Sequence, residues 1–215
     1  MKLFLDTADA AELQRCWATG LLDGVKTNHR DAFNKGREFN NVYKELKLMG
    51  MPIFTMDPHV ATTLALVNKG HELHDEFGDW GVVEVPCTRE GLMACRELRR
   101  DHIKVNVTNV YTAAQSILAA KANASYVSIH VGDLDENSVA GLEVVRSVTE
   151  TYMRNGVRET EVIAEGIKDV YKVTRSFYNG ADIVVVTPDV FNNMYKHVLT
   201  HFPRGIEGER LLDLL

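Results

Sequence analysis

Four side chains in this 215-residue sequence can do chemistry on a small molecule and fall near the ends of short apolar runs: Asp6, Lys26, Glu84 and His130. A lysine amine attacks a carbonyl only when it is unprotonated. With Asp6 and Glu84 facing it, Lys26 is expected to stay charged and to lose nucleophilicity. The expected arrangement is therefore a Lys26/Glu84 ion pair, because a buried acid and base rarely stay unpaired. Lys26 as an amine nucleophile is the competing reading, and Asp6 as its ion-pair partner is another plain one. His130 brings an imidazole, which moves protons near neutral pH, although a lone inward histidine is more often a satisfied core residue. Asp6, Glu84 and His130 together would also suit a hard divalent ion, which opens a metal-dependent lyase or isomerase as a further reading.

The rest of the composition narrows the partners. A formal net charge of -6, with no basic run longer than Arg99-Arg100, argues against a nucleic-acid surface. Cys16, Cys87 and Cys95 form neither a CxxC pair nor a metal spacing and are read as buried thiols of a reducing compartment. No cofactor is implied. No apolar stretch approaches the ~20 residues of a membrane helix, and the apolar run from Lys2 to Leu5 is too short for a signal core. A cytoplasmic protein with a small-molecule partner is expected.

Something must bring residues so far apart in sequence to one place. Short apolar runs alternate with helix-length amphipathic segments throughout, the pattern of repeated βα units around a parallel sheet. Eight strands are expected, near Lys2 to Asp6, Gly24 to Thr27, Pro52 to Met56, Gly81 to Val85, Ile103 to Val107, Tyr126 to Val131, Glu161 to Ala164 and Asp182 to Val186. The helical period places Val42, Leu46 and Met49, then Val60, Leu64 and Val67, then Ala113, Ile117 and Ala120 on buried faces. With no Pro/Ser-rich linker, the expectation is a single (β/α)8 TIM barrel of the α/β class over residues 1–215. An extra C-terminal helix at about 206–215 closes the barrel surface or docks on a second copy.

Reacting groups in such a barrel stand at the C-terminal strand ends and face inward. Alternation along each strand then selects Asp6, Lys26, Asn28, Met56, Glu84, Lys104, Asn106, Thr108, Ser128 and His130. Lys104 lies deepest and is expected to be structural.

These strings resemble the short, bacterial-type transaldolase and fructose-6-phosphate aldolase family. Lys2-Leu3-Phe4-Leu5-Asp6-Thr7-Ala8 is similar to its opening strand, and Leu22-Asp23-Gly24-Val25-Lys26-Thr27-Asn28 to its Gly-Val-Thr-Thr-Asn-Pro segment. Val105-Asn106-Val107-Thr108 through Gln115 and Tyr126-Val127-Ser128 with Val131-Gly132 are similar to its fifth and sixth units. The resemblance covers nearly the whole chain. It implies a (β/α)8 barrel, an oligomer packed through the C-terminal helix, and a small sugar or polyol ligand, with or without phosphate. It also implies that Asp6 handles protons, while Asn28 and Thr108 contact substrate and water; Ser128 joins them as an inward polar contact.

The same resemblance implies departures at the site. Glu84 stands where a strand-four lysine would form an iminium with a keto-sugar phosphate, so the family's aldol transfer or cleavage lacks its nucleophile there. Lys26 replaces a threonine, Met56 a water-placing glutamate or glutamine, His29 a proline, and His130 a tyrosine or phenylalanine. Asp133 replaces a phosphate-binding arginine, and Gly166 and Lys168 replace a serine and a second arginine, which makes both candidate substrate contacts. If Asp133 faces the site it repels a phosphate dianion; as a loop residue it turns outward. The expected function is a transaldolase- or aldolase-like protein of carbohydrate metabolism with a rebuilt site, with a non-catalytic ligand-binding or scaffold barrel as the alternative.

Overall fold

The structure, a computed structural model, describes residues 1–26, 46–48, 50, 52–55 and 61–201. Eight parallel strands close into a barrel in chain order: β1 (Lys2–Leu5), β2 (Gly24–Val25), β3 (Ile53–Thr55), β4 (Gly81–Pro86), β5 (Lys104–Val110), β6 (Tyr126–His130), β7 (Glu161–Ile167) and β8 (Ile183–Val186). Each expected strand is present. The described helices include α1 (Ala10–Trp17), α2 (Thr63–Phe77), α3 (Arg89–Arg100), α4 (Ala113–Lys121), α5 (Val131–Glu136), α6 (Gly141–Arg154), α7 (Val170–Tyr178), α8 (Pro188–Asn193) and α9 (Val198–His201). This is a (β/α)8 TIM barrel. Among the described residues, no helix is long and apolar enough to cross a membrane. The expected C-terminal helix, the subunit contact through it, Asn28, His29, Met56, Val42, Met49 and Val60 all lie outside the described residues.

Strand alternation sorts side chains into two layers. Outward-facing Leu5, Val25, Val83, Val85, Val105, Val107, Val127, Ile129, Val162, Ala164, Val184 and Val186 pack under the helices in one large core. Inward-facing Phe4, Phe54, Val82, Ile163, Ile183 and Val185, with Tyr126 against them, form a separate apolar plug inside the barrel. Phe54 is its centre, edge-on to Phe4 at 5.8 Å and to Tyr126 at 5.4 Å between ring centroids. Gly24 is the residue that lets the plug form, because a Cβ there would lie 2.8 Å from the Phe4 ring.

The same alternation continues one step beyond the plug and lifts Lys26, Glu84, Asn106, Ser128 and Glu165 onto a polar layer above it. Helix starts fix the intervening loops: Asp9, Thr88, Thr112, Asp169 and Thr187 each accept backbone N–H groups at an N-terminus.

Two buried faces differ from expectation. In α2 the buried residues are Leu66, Gly70, Leu73 and Phe77, while Leu64 points to solvent. In α4 Ser116 and Ala119 are buried and Ile117 is exposed. Both segments carry apolar residues on more than one face, so periodicity alone selects the wrong stripe. The cysteines lie as expected for Cys16 and Cys95, which are buried, and Cys87 is half-buried.

Candidate active site

Lys26, one residue past β2, reaches into the barrel between two carboxylates. Its Nζ stands 3.1 Å from Glu84 Oε1 on β4 and also pairs with Glu165 Oε2 on β7. The three side chains are only 13%, 10% and 9% exposed. Burial by itself would lower the amine's pKa, but the charges and hydrogen bonds of Glu165 and Glu84 outweigh that and hold it well above the ordinary lysine range. The two carboxylates thus favour the ammonium form of Lys26 over the free amine.

The network continues around the barrel. Asn106 on β5, opposite Glu84 in register, donates from Nδ2 to Glu84 Oε1 at 2.7 Å and to Ser128 Oγ at 3.0 Å. The Ser128 hydroxyl in turn lies 3.3 Å from Asn106 Oδ1. Asn106 and Ser128 are fully buried, so these bonds fix the Glu84 carboxylate rather than a ligand. Thr108 is buried two residues further along β5. Asp6, half-buried, follows β1, where its N–H donates to Val186 O. The ion pair expected between Lys26 and Glu84 is present. A further partner of Lys26 is Glu165, on β7.

Sequence reasoning missed Glu165 because it ended the seventh strand at Ala164. β7 continues to Ile167 through a register shift between Ala164 and Ile167, and Glu165 lies opposite His130 on β6. Following the alternation from Ile163, an inward plug residue, would have found it.

At the barrel mouth His130 caps α5. Its Nδ1 accepts the Asp133 N–H at 3.1 Å and lies 3.2 Å from Asp133 Oδ1, whose sister oxygen accepts the Tyr111 hydroxyl at 3.2 Å. A neutral ring can accept the backbone proton and a protonated ring can donate to the carboxylate, so Nδ1 has a partner in either state. Asp133 faces these groups across the mouth of β5 and β6. Gly166, at φ +72°, lies under the ring: a Cβ there would be 2.7 Å from His130 Cε1 and 2.9 Å from Gly132 N. Its place is to admit the imidazole.

Lys168 and the expected metal set do not join the site, and Lys104 is structural, as expected. Lys168 is exposed and paired with Glu136. Lys104 sits at the far end of its strand and donates to the Asp79 carbonyl at 2.9 Å. Asp6, Glu84 and His130 do not gather into a metal set, and no group of three or more His, Cys, Asp or Glu side chains among the described residues does so. Glu84 already faces an ammonium ion.

A (β/α)8 barrel with an inward lysine and acids at the C-terminal strand ends defines the class: a barrel whose loops and strand ends form a small-molecule site. The family model for transaldolase/fructose-6-phosphate aldolase matches residues 3–212. A probable transaldolase of Novosphingobium aromaticivorans is 37% identical over 97% of this chain and 94% of its own length. Probable transaldolases of Caulobacter vibrioides and Phenylobacterium zucineum are 35% and 38% identical, covering 96% and 93% of this chain and 94% and 91% of their own lengths. The chain belongs to the transaldolase/fructose-6-phosphate aldolase family.

Proposed function

We propose that this family member binds a small polyol or keto-sugar at the mouth of its barrel and acts in carbohydrate metabolism without a lysine Schiff base. The observation that carries this reading is the clamp on Lys26. An amine wedged between Glu84 and Glu165 keeps its proton, and a protonated amine has no lone pair for a carbonyl. The resemblance implies that Glu84 itself occupies the position of the family's reacting lysine, so a rebuilt site belongs to the same proposal. The chemistry left to these residues is proton transfer. His130, about a third exposed and oriented by Asp133, is the group placed to exchange a proton with a bound carbonyl compound. The Lys26 ammonium supplies a fixed positive charge for oxygen that becomes negative as an enolate forms.

Borohydride trapping tests the reading. The protein is incubated with dihydroxyacetone or fructose 6-phosphate, reduced, and examined by intact and peptide mass spectrometry. No adduct is expected on Lys26 or any other lysine. A reduced sugar adduct on Lys26 would show that the clamp opens and would overturn the proposal.

A further inference from the structure

The charge around the barrel mouth carries information about the ligand. Among the described residues of the buried layer a single ammonium, Lys26, faces two carboxylates, Glu84 and Glu165. Among the described residues, Glu84 Oε2 and Glu165 Oε1 accept no hydrogen bond; the bonds to these carboxylates go to Glu84 Oε1 and Glu165 Oε2. Both side chains are about nine-tenths buried, and these two carboxylate oxygens have no protein donor among the described residues.

The rim above β6 and β7 has the same sign. Lys168 is taken up by Glu136, and Lys172 by Asp135 at 2.7 Å with Asp169 at 3.9 Å. Asp133 adds a carboxylate that faces Tyr111 and His130. Every described lysine here is already paired, and carboxylates remain in excess. A phosphate dianion beside β6 and β7 would meet this excess of carboxylates, with the described lysines of that rim, Lys168 and Lys172, already paired; exposed Arg89, at the start of α3 after β4, is the cation left for it on this face. A ligand bearing an ammonium group would find charge-assisted partners in the open oxygens of Glu84 and Glu165, and its hydroxyls could accept from the remaining Lys26 proton.

We propose that the ligand of this site is a cationic polyol, an amine-bearing sugar alcohol or amino sugar, and not a phosphorylated sugar. This rests on the reading that the barrel mouth binds a small hydroxylated compound without a Schiff base.

Calorimetric titration of the full chain with 1-amino-1-deoxy-D-sorbitol, D-sorbitol and D-sorbitol 6-phosphate tests it. The three probes share a carbon skeleton and differ in charge. The amine should bind at least about tenfold more tightly than sorbitol, and the phosphate more weakly than either. The advantage of the amine should shrink in about 0.5 M salt. Glu165→Gln should bring the amine to within roughly threefold of sorbitol by removing one carboxylate charge. Glu84→Gln tests the same point from the other strand if the first variant folds poorly. Equal binding of amine and sorbitol, no binding of the amine, tighter binding of the phosphate, or an undiminished amine preference in both variants overturns the inference. Binding of sorbitol without an amine preference sinks the charge argument alone and leaves the parent reading standing; that reading fails on a trapped Lys26 adduct, which this titration does not involve.

Discussion

Lys26 and Lys168 both meet glutamate, one inside the barrel and one on its rim, and the two pairings differ in nearly every consequence. Lys26 is 13% exposed and held by two acids on opposite sides of the barrel, whereas Lys168 and Glu136 are 65% and 61% exposed. On the rim, the hydrogen bond and charge of Lys168 hold the Glu136 carboxyl below its usual range, but water and salt screen the pair. Inside, desolvation makes each charge expensive to leave alone. Contact distance is therefore a poor guide to importance. Burial decides which lysine organises the site.

The largest expected effect breaks the buried side of this comparison. Lys26→Met leaves Glu84 and Glu165 as uncompensated buried carboxylates and should cost about 3–5 kcal/mol, read as a lower midpoint in urea unfolding. The triple variant Lys26→Met, Glu84→Gln, Glu165→Gln should recover most of that loss, because neutral hydrogen-bonding side chains carry no stranded charge. The sign of the pH dependence follows from the raised pKa of Lys26. Its stabilising contribution is fully present below the ordinary lysine value of about 10.4 and is lost only as pH rises through the higher folded value. The wild-type advantage over Lys26→Met should thus stay level as pH is raised from neutral toward that ordinary value. A decline well below it would mean the ammonium is not clamped as described.

How much of this was legible beforehand depended on how far each strand could be followed. Short apolar runs alternating with amphipathic segments located all eight strands, and the last, Ile183 to Val186, is a β-branched run without polar alternation, as expected for a strand covered on both faces. Glu84, Ser128 and His130 fell on inward positions by simple alternation. Glu165 did not, because Gly166 and a register shift follow it and the apolar run ends at Ala164. Propensity terminates a strand there, while the barrel's hydrogen bonds to β6 carry it on. The Lys26/Glu84 pair was foreseeable from charge, but its third member needed the seventh strand's true length. Pairing of Asp133 with Tyr111 depends on loop geometry that no local pattern encodes.

A smaller effect should sharpen the link between the two regions at His130. Gly166→Ala places a Cβ 2.7 Å from His130 Cε1 and in a left-handed conformation, and its backbone cost is about 1–2 kcal/mol. The ring must move, since the other close neighbour is backbone, Gly132 N at 2.9 Å. The His130 imidazole resonances should therefore shift in NMR spectra of the variant while Lys26 stays charged. Unchanged histidine signals would show that the ring does not rest on Gly166 in solution.

The smallest effect is expected on the rim. Lys168→Ala removes a pair that two long, solvated side chains must lose rotamer freedom to form, and an exposed attraction of that kind is largely offset by the entropy of holding it. The urea midpoint should be unchanged within error, and added salt should leave wild type and variant indistinguishable. Binding of a polyol should also survive, because the ammonium that organises the buried layer is Lys26. A Lys168→Ala variant as damaged as Lys26→Met would mean that the rim pair is shielded from water, and the distinction drawn between the two lysines would fail.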